Sequence, residues 1–144
     1  MTSIDMVQLR TDLKRDEGTV LHAYQDSLGY WTIGSGILID ERKGGGITDG
    51  ENDFLLDNRI TKTINELDDN IPWLGTKSDG VQRAIVNMAY EMGVDGILKF
   101  HEMLAAIKDD NYEEAAQQAQ NSLWAQQLND DGRVQRIMSL LKAG

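Results

Sequence analysis

Residues 15–36 read RDEGTVLHAYQDSLGYWTIGSG, and a change of pattern inside this stretch decides the fold. Its first residues continue a helical pattern that is predicted to end at Gly18. Tyr24 and Trp31 then flank DSLG, a combination typical of a turn between two short strands, and GSG at 34–36 bends the chain again. We therefore predict a helix that runs into a small β-hairpin.

Most of the remaining chain has the apolar spacing of helices. The positions that recur with this period are Met6, Leu9 and Leu13; Leu56, Ile60, Ile64 and Leu67; Val81, Ala84, Ile85, Met88, Ala89 and Met92; and Val134, Ile137, Met138 and Leu141. Ser3 can cap the first of these helices. Thr48 and Glu51 form a capping-box pattern that opens the second, and Pro72 follows its end.

The third of these helices is predicted to be the buried centre of the larger part of the protein, because Val86 and Tyr90 make its other face apolar as well. EEAAQQAQNSLW predicts a further helix in which Trp124 anchors the core. These patterns predict a mainly α, α+β fold. They predict a single domain over 1–144, with a strand lobe at about 18–47, a connecting helix at about 48–70, and a helical lobe at about 74–144 plus the N-terminal helix. A plain surface helix would show the same pattern over 48–70.

The loop KGGG at 43–46 is expected to be flexible, and the first and last helices are expected to pack together. The last helix carries Arg133, Arg136 and Lys142 with no acid between Gly132 and Gly144. A local positive patch is therefore expected there, in a chain whose net charge is otherwise strongly negative.

The composition excludes several classes of protein. With 144 residues, of which 40% are hydrophobic, the chain can bury a core of its own. It has no cysteine, so disulfides and thiolate metal sites are ruled out, and His22 and His101 alone do not indicate a metal site. The net charge of −10 argues against a nucleic-acid partner. No apolar run is long enough for a signal peptide or for the roughly 20 residues of a membrane span, so we expect no stable membrane insertion.

Three polar residues of the opening stretch have the chemistry of glycoside hydrolysis, which needs one protonated carboxyl group and one ionised carboxylate. Glu17 lies at the negative end of a helix dipole, which suits a carboxylic acid, whereas Asp26 lies on a solvated hairpin. Thr32 on the return strand can bring its hydroxyl beside Asp26 to hold a water molecule. The structural alternatives are a glutamate that merely ends a helix and an aspartate that merely shapes a turn.

The spacing of these residues points to a family. The pattern closely resembles that of the phage-type lysozymes, the endolysin muramidases of glycoside hydrolase family 24. It consists of Glu17, eight residues, Asp26, five residues and Thr32, inside DEG…AYQDSLGYWTIGSG. ITDGENDFLLDN resembles the start of their interdomain helix, RAIVNMAYEMG their central buried helix, and NSLWAQQ with GRVQRI their C-terminal segment. The resemblance covers essentially the whole chain and implies a two-lobed lysozyme-like fold with a cleft between the lobes.

The resemblance also implies a role for each of the three residues. Glu17 would be the general acid, Asp26 the carboxylate that activates the attacking water, and Thr32 the residue that positions this water. The implied reaction is hydrolysis of the β-1,4 bond between N-acetylmuramic acid and N-acetylglucosamine in bacterial peptidoglycan, with inversion at the anomeric carbon and no cofactor.

Sugar contacts and partners are implied less directly. The positions that match sugar-binding positions of the family are Leu38, Tyr90, Met103, Gln118 and Arg133, although several residue types differ from those of relatives. For Arg133 the alternative is a solvated helix charge. Ile37 stands where many relatives have histidine, so a polar contact near the cleft should be missing, which is expected to alter stability rather than catalysis.

The expected course of action is that of an endolysin. The chain would remain in the host cytoplasm, as a monomer, until a phage holin opens the inner membrane, and would then degrade periplasmic peptidoglycan and lyse the host. Two other functions remain open. A lytic transglycosylase would cleave the same bond without water, and a non-catalytic module would only bind the wall.

Overall fold

A computed structural model of the chain describes residues 3–43, 45–127 and 132–144. The elements in this part of the chain are α1 (Met6–Glu17), β1 (Val20–Gln25), β2 (Trp31–Gly34), β3 (Ile37–Leu38), α2 (Asp49–Asn70), a 3₁₀ helix (Pro72–Thr76), α3 (Asp79–Met92), α4 (Val94–Leu98), α5 (His101–Lys108), α6 (Tyr112–Gln120), α7 (Leu123–Gln127) and α8 (Arg133–Ala143). Most of these elements are helices, and the strands form one small antiparallel sheet, which confirms the predicted mainly α, α+β class. The chain divides into two compact units, Met1–Leu55 and Leu56–Gly144. None of the helices in the described ranges is long and apolar enough to cross a membrane.

The first helix begins later than predicted. The side chain of Asp5 accepts the backbone N–H groups of Val7 and Gln8, so Asp5, and not Ser3, is the N-cap of α1. A carboxylate in this position satisfies two of the donors that a helix start leaves without partners. The predicted end is confirmed, because α1 stops at Glu17 and Gly18 follows with a φ of 75°. The predicted packing of the first helix on the last one stays a prediction.

The predicted hairpin is confirmed and is extended by a strand that the sequence did not predict. The sheet order is β1-β2-β3, and the register sets Tyr24 opposite Thr32 and Thr32 opposite Leu38. Gly34 and Gly36 both have positive φ angles, of 66° and 69°. This conformation favours glycine and allows the tight turn that returns β3 against β2.

The loop after β3 is organised by Asp40. Its carboxylate accepts the backbone N–H groups of Arg42 and Gly46 and pairs with the Arg42 guanidinium at 2.7 Å. These bonds hold the pKa of Asp40 well below its usual range, and the bond from the Arg42 side chain contributes most. Gly44, within the segment predicted to be flexible, lies outside the described residues.

The capping box that opens α2 is confirmed. The Thr48 backbone N–H donates to the Glu51 carboxylate at 2.8 Å, and the Glu51 N–H donates to the Thr48 hydroxyl at 3.2 Å. Within the apolar stripe of this helix Leu67 is buried, at 2% exposed, whereas Leu56 and Ile64 are 37% and 39% exposed.

The core of the second unit surrounds α3, as predicted. Its buried apolar side chains are Leu67, Ile71, Leu74, Val81, Ala84, Ile85, Met88, Ala89, Val94, Ile97, Met103, Ala106, Ile107, Ala115, Ala116, Ala119, Ile137, Met138 and Leu141. Tyr90 is 48% exposed, so the opposite face of α3 is less buried than its apolar residues suggest. The short helix α5, which supplies Met103 to the core, was not predicted.

Trp124 lies on a separate helix from the one predicted. The Ser122 hydroxyl donates to the Ala119 carbonyl at 2.6 Å and accepts the Ala125 N–H at 3.2 Å, so serine ends α6 and caps α7. Serine side chains compete in this way with the backbone bonds of a helix. Trp124 nevertheless packs against the core, as predicted.

The predicted positive patch of the last helix is partly neutralised by other elements. Arg133 pairs with Glu91 of α3 at 3.0 Å, and Lys142 pairs with Glu113 of α6 at 3.7 Å. A count of charges along one helix misses acids that tertiary packing brings beside it.

Candidate active site

Glu17 occupies the last position of α1, and its exposed side chain lies over the turn between β2 and β3. A Cβ atom placed on Gly36 would come within 2.6 Å of the Glu17 Oε2 atom and 2.9 Å of its Cδ atom. The carboxyl group therefore rests on a glycine of the neighbouring turn. Sequence spacing had placed Glu17 at a helix end but had not identified this contact.

Asp26 follows β1 directly and is held by the hairpin turn that it begins. Its Oδ1 atom accepts the backbone N–H groups of Leu28 and Tyr30, each at 2.9 Å. The Asp26 N–H donates to the Tyr30 carbonyl at 2.8 Å, which extends the ladder by one more bond. Both side-chain bonds use Oδ1, and Oδ2 takes no part in them.

Thr32 lies in the central strand and is the one buried polar side chain among the residues that the structure describes, at 3% exposed. Its hydroxyl donates to the Tyr30 carbonyl at 3.2 Å, the same oxygen that accepts the Asp26 N–H. Thr32 pairs with Tyr24, and residues opposite each other in a sheet share a face. Asp26 lies two positions after Tyr24, just beyond the end of β1, and shares the Tyr30 carbonyl with Thr32. The predicted pairing of its carboxylate with the Thr32 hydroxyl stays a prediction.

The predicted sugar-binding residues divide between the two units. Leu38 is exposed in β3 and pairs with Thr32 in the first unit. Tyr90 and Arg133 both line a pocket of about 550 Å³ in the second unit, together with the apolar stripe of α2. Met103 and Gln118 line another pocket, of about 300 Å³.

Met103 is a core residue in this structure. Its side chain is 1% exposed and packs among the buried side chains of the second unit. Burial of this kind is the ordinary state of methionine and explains the residue without a ligand. The sugar contact that the resemblance implies for Met103 stays a prediction, and the exposed side chain of Tyr90 is better placed for such a contact.

A polar cluster of the second unit was missed by sequence reasoning. Glu91 accepts the Trp124 indole N–H at 3.2 Å and pairs with Arg133, while the Arg133 guanidinium also donates to the side chain and the carbonyl of Asn87. The cluster joins residues more than 30 positions apart, and no sequence spacing signals it. It gives Arg133 a defined position at the rim of the larger pocket.

The described residues contain no group of three or more histidine, aspartate or glutamate side chains that could hold a metal ion. In the first unit Glu17 ends a helix, Asp26 begins the hairpin turn and Thr32 lies in the central strand.

Comparisons with known proteins point to one family. The family model described as Phage lysozyme matches residues 14–140. Probable T4-type lysozyme 1 of Dictyostelium discoideum is 30% identical over 92% of this chain and 92% of its own length, and Probable T4-type lysozyme 2 of the same organism is 28% identical over 94% of each. The pre-baseplate central spike protein Gp5 of Enterobacteria phage T4 is 31% identical over 92% of this chain, which corresponds to 27% of that protein.

Proposed function

The chain belongs to the phage lysozyme family and is thus a peptidoglycan hydrolase of the muramidase type; on that premise we propose that it hydrolyses the β-1,4 bond between N-acetylmuramic acid and N-acetylglucosamine. The observation that carries the proposal is the arrangement of Asp26 and Thr32. The Asp26 backbone N–H and the Thr32 hydroxyl both donate to the same Tyr30 carbonyl, so the hairpin holds the two residues close together.

In the proposed mechanism Glu17 donates a proton to the leaving oxygen of the glycosidic bond. Asp26 accepts a proton from the attacking water, and Thr32 orients that water. Water attacks the anomeric carbon on the face opposite to the leaving group, so the configuration inverts. The turn supports this role, because two backbone N–H groups bind Asp26 Oδ1 and hold the carboxylate in a fixed position.

The test uses purified peptidoglycan and two matched variants of adjacent acids. Glu17→Gln removes the proposed acid, and Asp16→Asn removes the exposed carboxylate beside it. Release of reducing ends is expected to fall by at least about 10²-fold for Glu17→Gln, the usual contribution of a general acid, and to persist for Asp16→Asn. Equal activity of wild type and Glu17→Gln would contradict the proposal, and binding without any reducing ends would favour a non-catalytic wall-binding module.

Product analysis separates the proposed hydrolase from a lytic transglycosylase. Hydrolysis adds one water to the cleaved chain, whereas a transglycosylase leaves an anhydro sugar that lacks this mass. NMR spectra taken early in the reaction should show the α-anomer at the new reducing end. The β-anomer would instead indicate retention and would count against the role given to Asp26.

The biological role is proposed by likeness to endolysins: a monomer that remains in the host cytoplasm until a holin opens the inner membrane, and that then causes lysis. Expression in a bacterial host with and without a membrane-opening partner tests this route. Lysis only with the partner is expected, and lysis without it contradicts the dependence on a holin. Sedimentation of the purified chain tests the monomeric state.

A further inference from the structure

Gly36 combines two properties, of which Gly29 and Gly34 share only the positive φ angle. Its φ angle is 69°, and the space that its side chain would occupy is filled by the end of the Glu17 side chain. A Cβ atom there would meet Glu17 Oε2 at 2.6 Å, Cδ at 2.9 Å and Cγ at 3.1 Å, all closer than an ordinary contact.

We propose that Gly36 is a positioning residue for the reaction: the missing side chain forms the seat on which the Glu17 carboxyl group rests. The inference depends on the proposed role of Glu17 as the acid. Glu17 ends a helix, and the torsions of its side chain must be restricted if its proton is to meet the leaving oxygen. A displacement of about 1 Å in a reacting group can cost about 10²-fold in rate.

Gly34 provides the matched comparison. Its φ angle is 66°, nearly that of Gly36, but a Cβ atom on it would meet only Ile37 Cδ1, at 3.4 Å. Alanine at either position carries the same unfavourable left-handed backbone conformation. Alanine at position 36 alone also intrudes on Glu17.

The consequence of that intrusion falls on catalysis rather than on the fold. The atoms met by the new methyl group are the far end of a flexible side chain, which can rotate away while the backbone stays in place. The fold should therefore lose about as much stability from Gly36→Ala as from Gly34→Ala. The Glu17 carboxyl group should leave its seat only in Gly36→Ala.

Kinetics and thermal unfolding of the two alanine variants test the inference. Gly36→Ala is expected to lower kcat on the order of 10²-fold with little change in KM. Gly34→Ala should retain most of the wild-type kcat. The two variants should show similar decreases in Tm. In a Glu17→Gln background, Gly36→Ala should reduce the residual rate no further. Equal losses of kcat in the two alanine variants, or an undiminished effect of Gly36→Ala in that background, would overturn the role of Gly36.

A measurement on the wild-type chain keeps the inference testable if Gly36→Ala does not fold. The nuclear Overhauser spectrum should show a contact between the γ protons of Glu17 and the α protons of Gly36. Its absence would contradict the proposed position of the Glu17 side chain over Gly36. Wild-type protein that releases no reducing ends contradicts the proposed function itself. The two failures are thus distinguishable.

Discussion

Asp26 and Tyr30 are joined by two hydrogen bonds across the hairpin turn: the Tyr30 N–H donates to Asp26 Oδ1 at 2.9 Å, and the Asp26 N–H donates to the Tyr30 carbonyl at 2.8 Å. The residue proposed to activate water is thus also the residue that shapes the turn. Asparagine and alanine separate these two roles, because only asparagine retains an acceptor oxygen.

Asp26→Asn is expected to keep the fold and lose the reaction. The amide oxygen can still accept the N–H groups of Leu28 and Tyr30, so the free energy of unfolding should change by less than about 0.5 kcal/mol. Release of reducing ends should fall about 10²-fold to 10⁴-fold, since an amide cannot accept the proton of water. Asp26→Ala should lose the same activity and about 1 kcal/mol of stability as well. Full activity of Asp26→Asn would refute its role as the base.

The ion pair of Lys77 and Asp110 is expected to make stability depend on pH at the acid end. Lys77 Nζ donates to Asp110 at 2.7 Å and the Tyr112 hydroxyl donates to the same oxygen at 2.8 Å, which lower the pKa of Asp110. A carboxyl group with a lowered pKa stabilises the fold above about pH 4, and this contribution disappears as the pH falls through the lowered value.

Asp110→Asn tests this contribution while preserving the left-handed backbone at that position, where φ is 59°. Its Tm should lie below that of wild type at pH 7, by no more than about 4 °C because the carboxylate of the pair is exposed. The difference should shrink as both proteins are titrated below pH 4. A difference that stays constant with pH would mean that the charge of Asp110 is not its cause.

The capping box at the start of α2 predicts a simple stability result. Thr48→Ala removes the hydroxyl that accepts the Glu51 N–H and should cost about 1 kcal/mol of unfolding free energy. Thr48→Ser keeps the hydroxyl and should cost much less. Denaturant unfolding of the two variants measures the cap, and an equal loss in both would show that packing of the threonine methyl group, and not the hydrogen bond, is responsible.

Met103 is expected to contribute to the stability of the core and not to substrate binding. Met103→Ala should lower the free energy of unfolding by about 2 to 5 kcal/mol because it leaves a cavity, whereas Met103→Leu conserves volume and should cost less than about 1.5 kcal/mol. Neither should change KM once the protein is folded. A raised KM for Met103→Leu with unchanged stability would instead support the sugar contact that the resemblance implies.

The features that could be predicted are those whose cause lies within a few residues. The end of α1 at Gly18, the turn after Asp26 and the capping box of Thr48 and Glu51 each depend on local backbone chemistry. Two wrong predictions, the cap of α1 and a single helix up to Trp124, also have local causes. Asp5, and not Ser3, caps α1 because its carboxylate accepts two backbone N–H groups. Ser122 interrupts the predicted helix because its hydroxyl binds the backbone on both sides.

Spacing and residue type, together with the family resemblance, select Glu17, Asp26 and Thr32 as candidates, and their catalytic roles stay a prediction. Tertiary structure alone decided what these and other side chains touch. It set Glu17 on Gly36, joined Trp124 and Arg133 through Glu91, and placed Met103 in the core. These contacts join residues far apart in the chain, and their formation depends on how whole elements pack, which no local pattern of residues encodes.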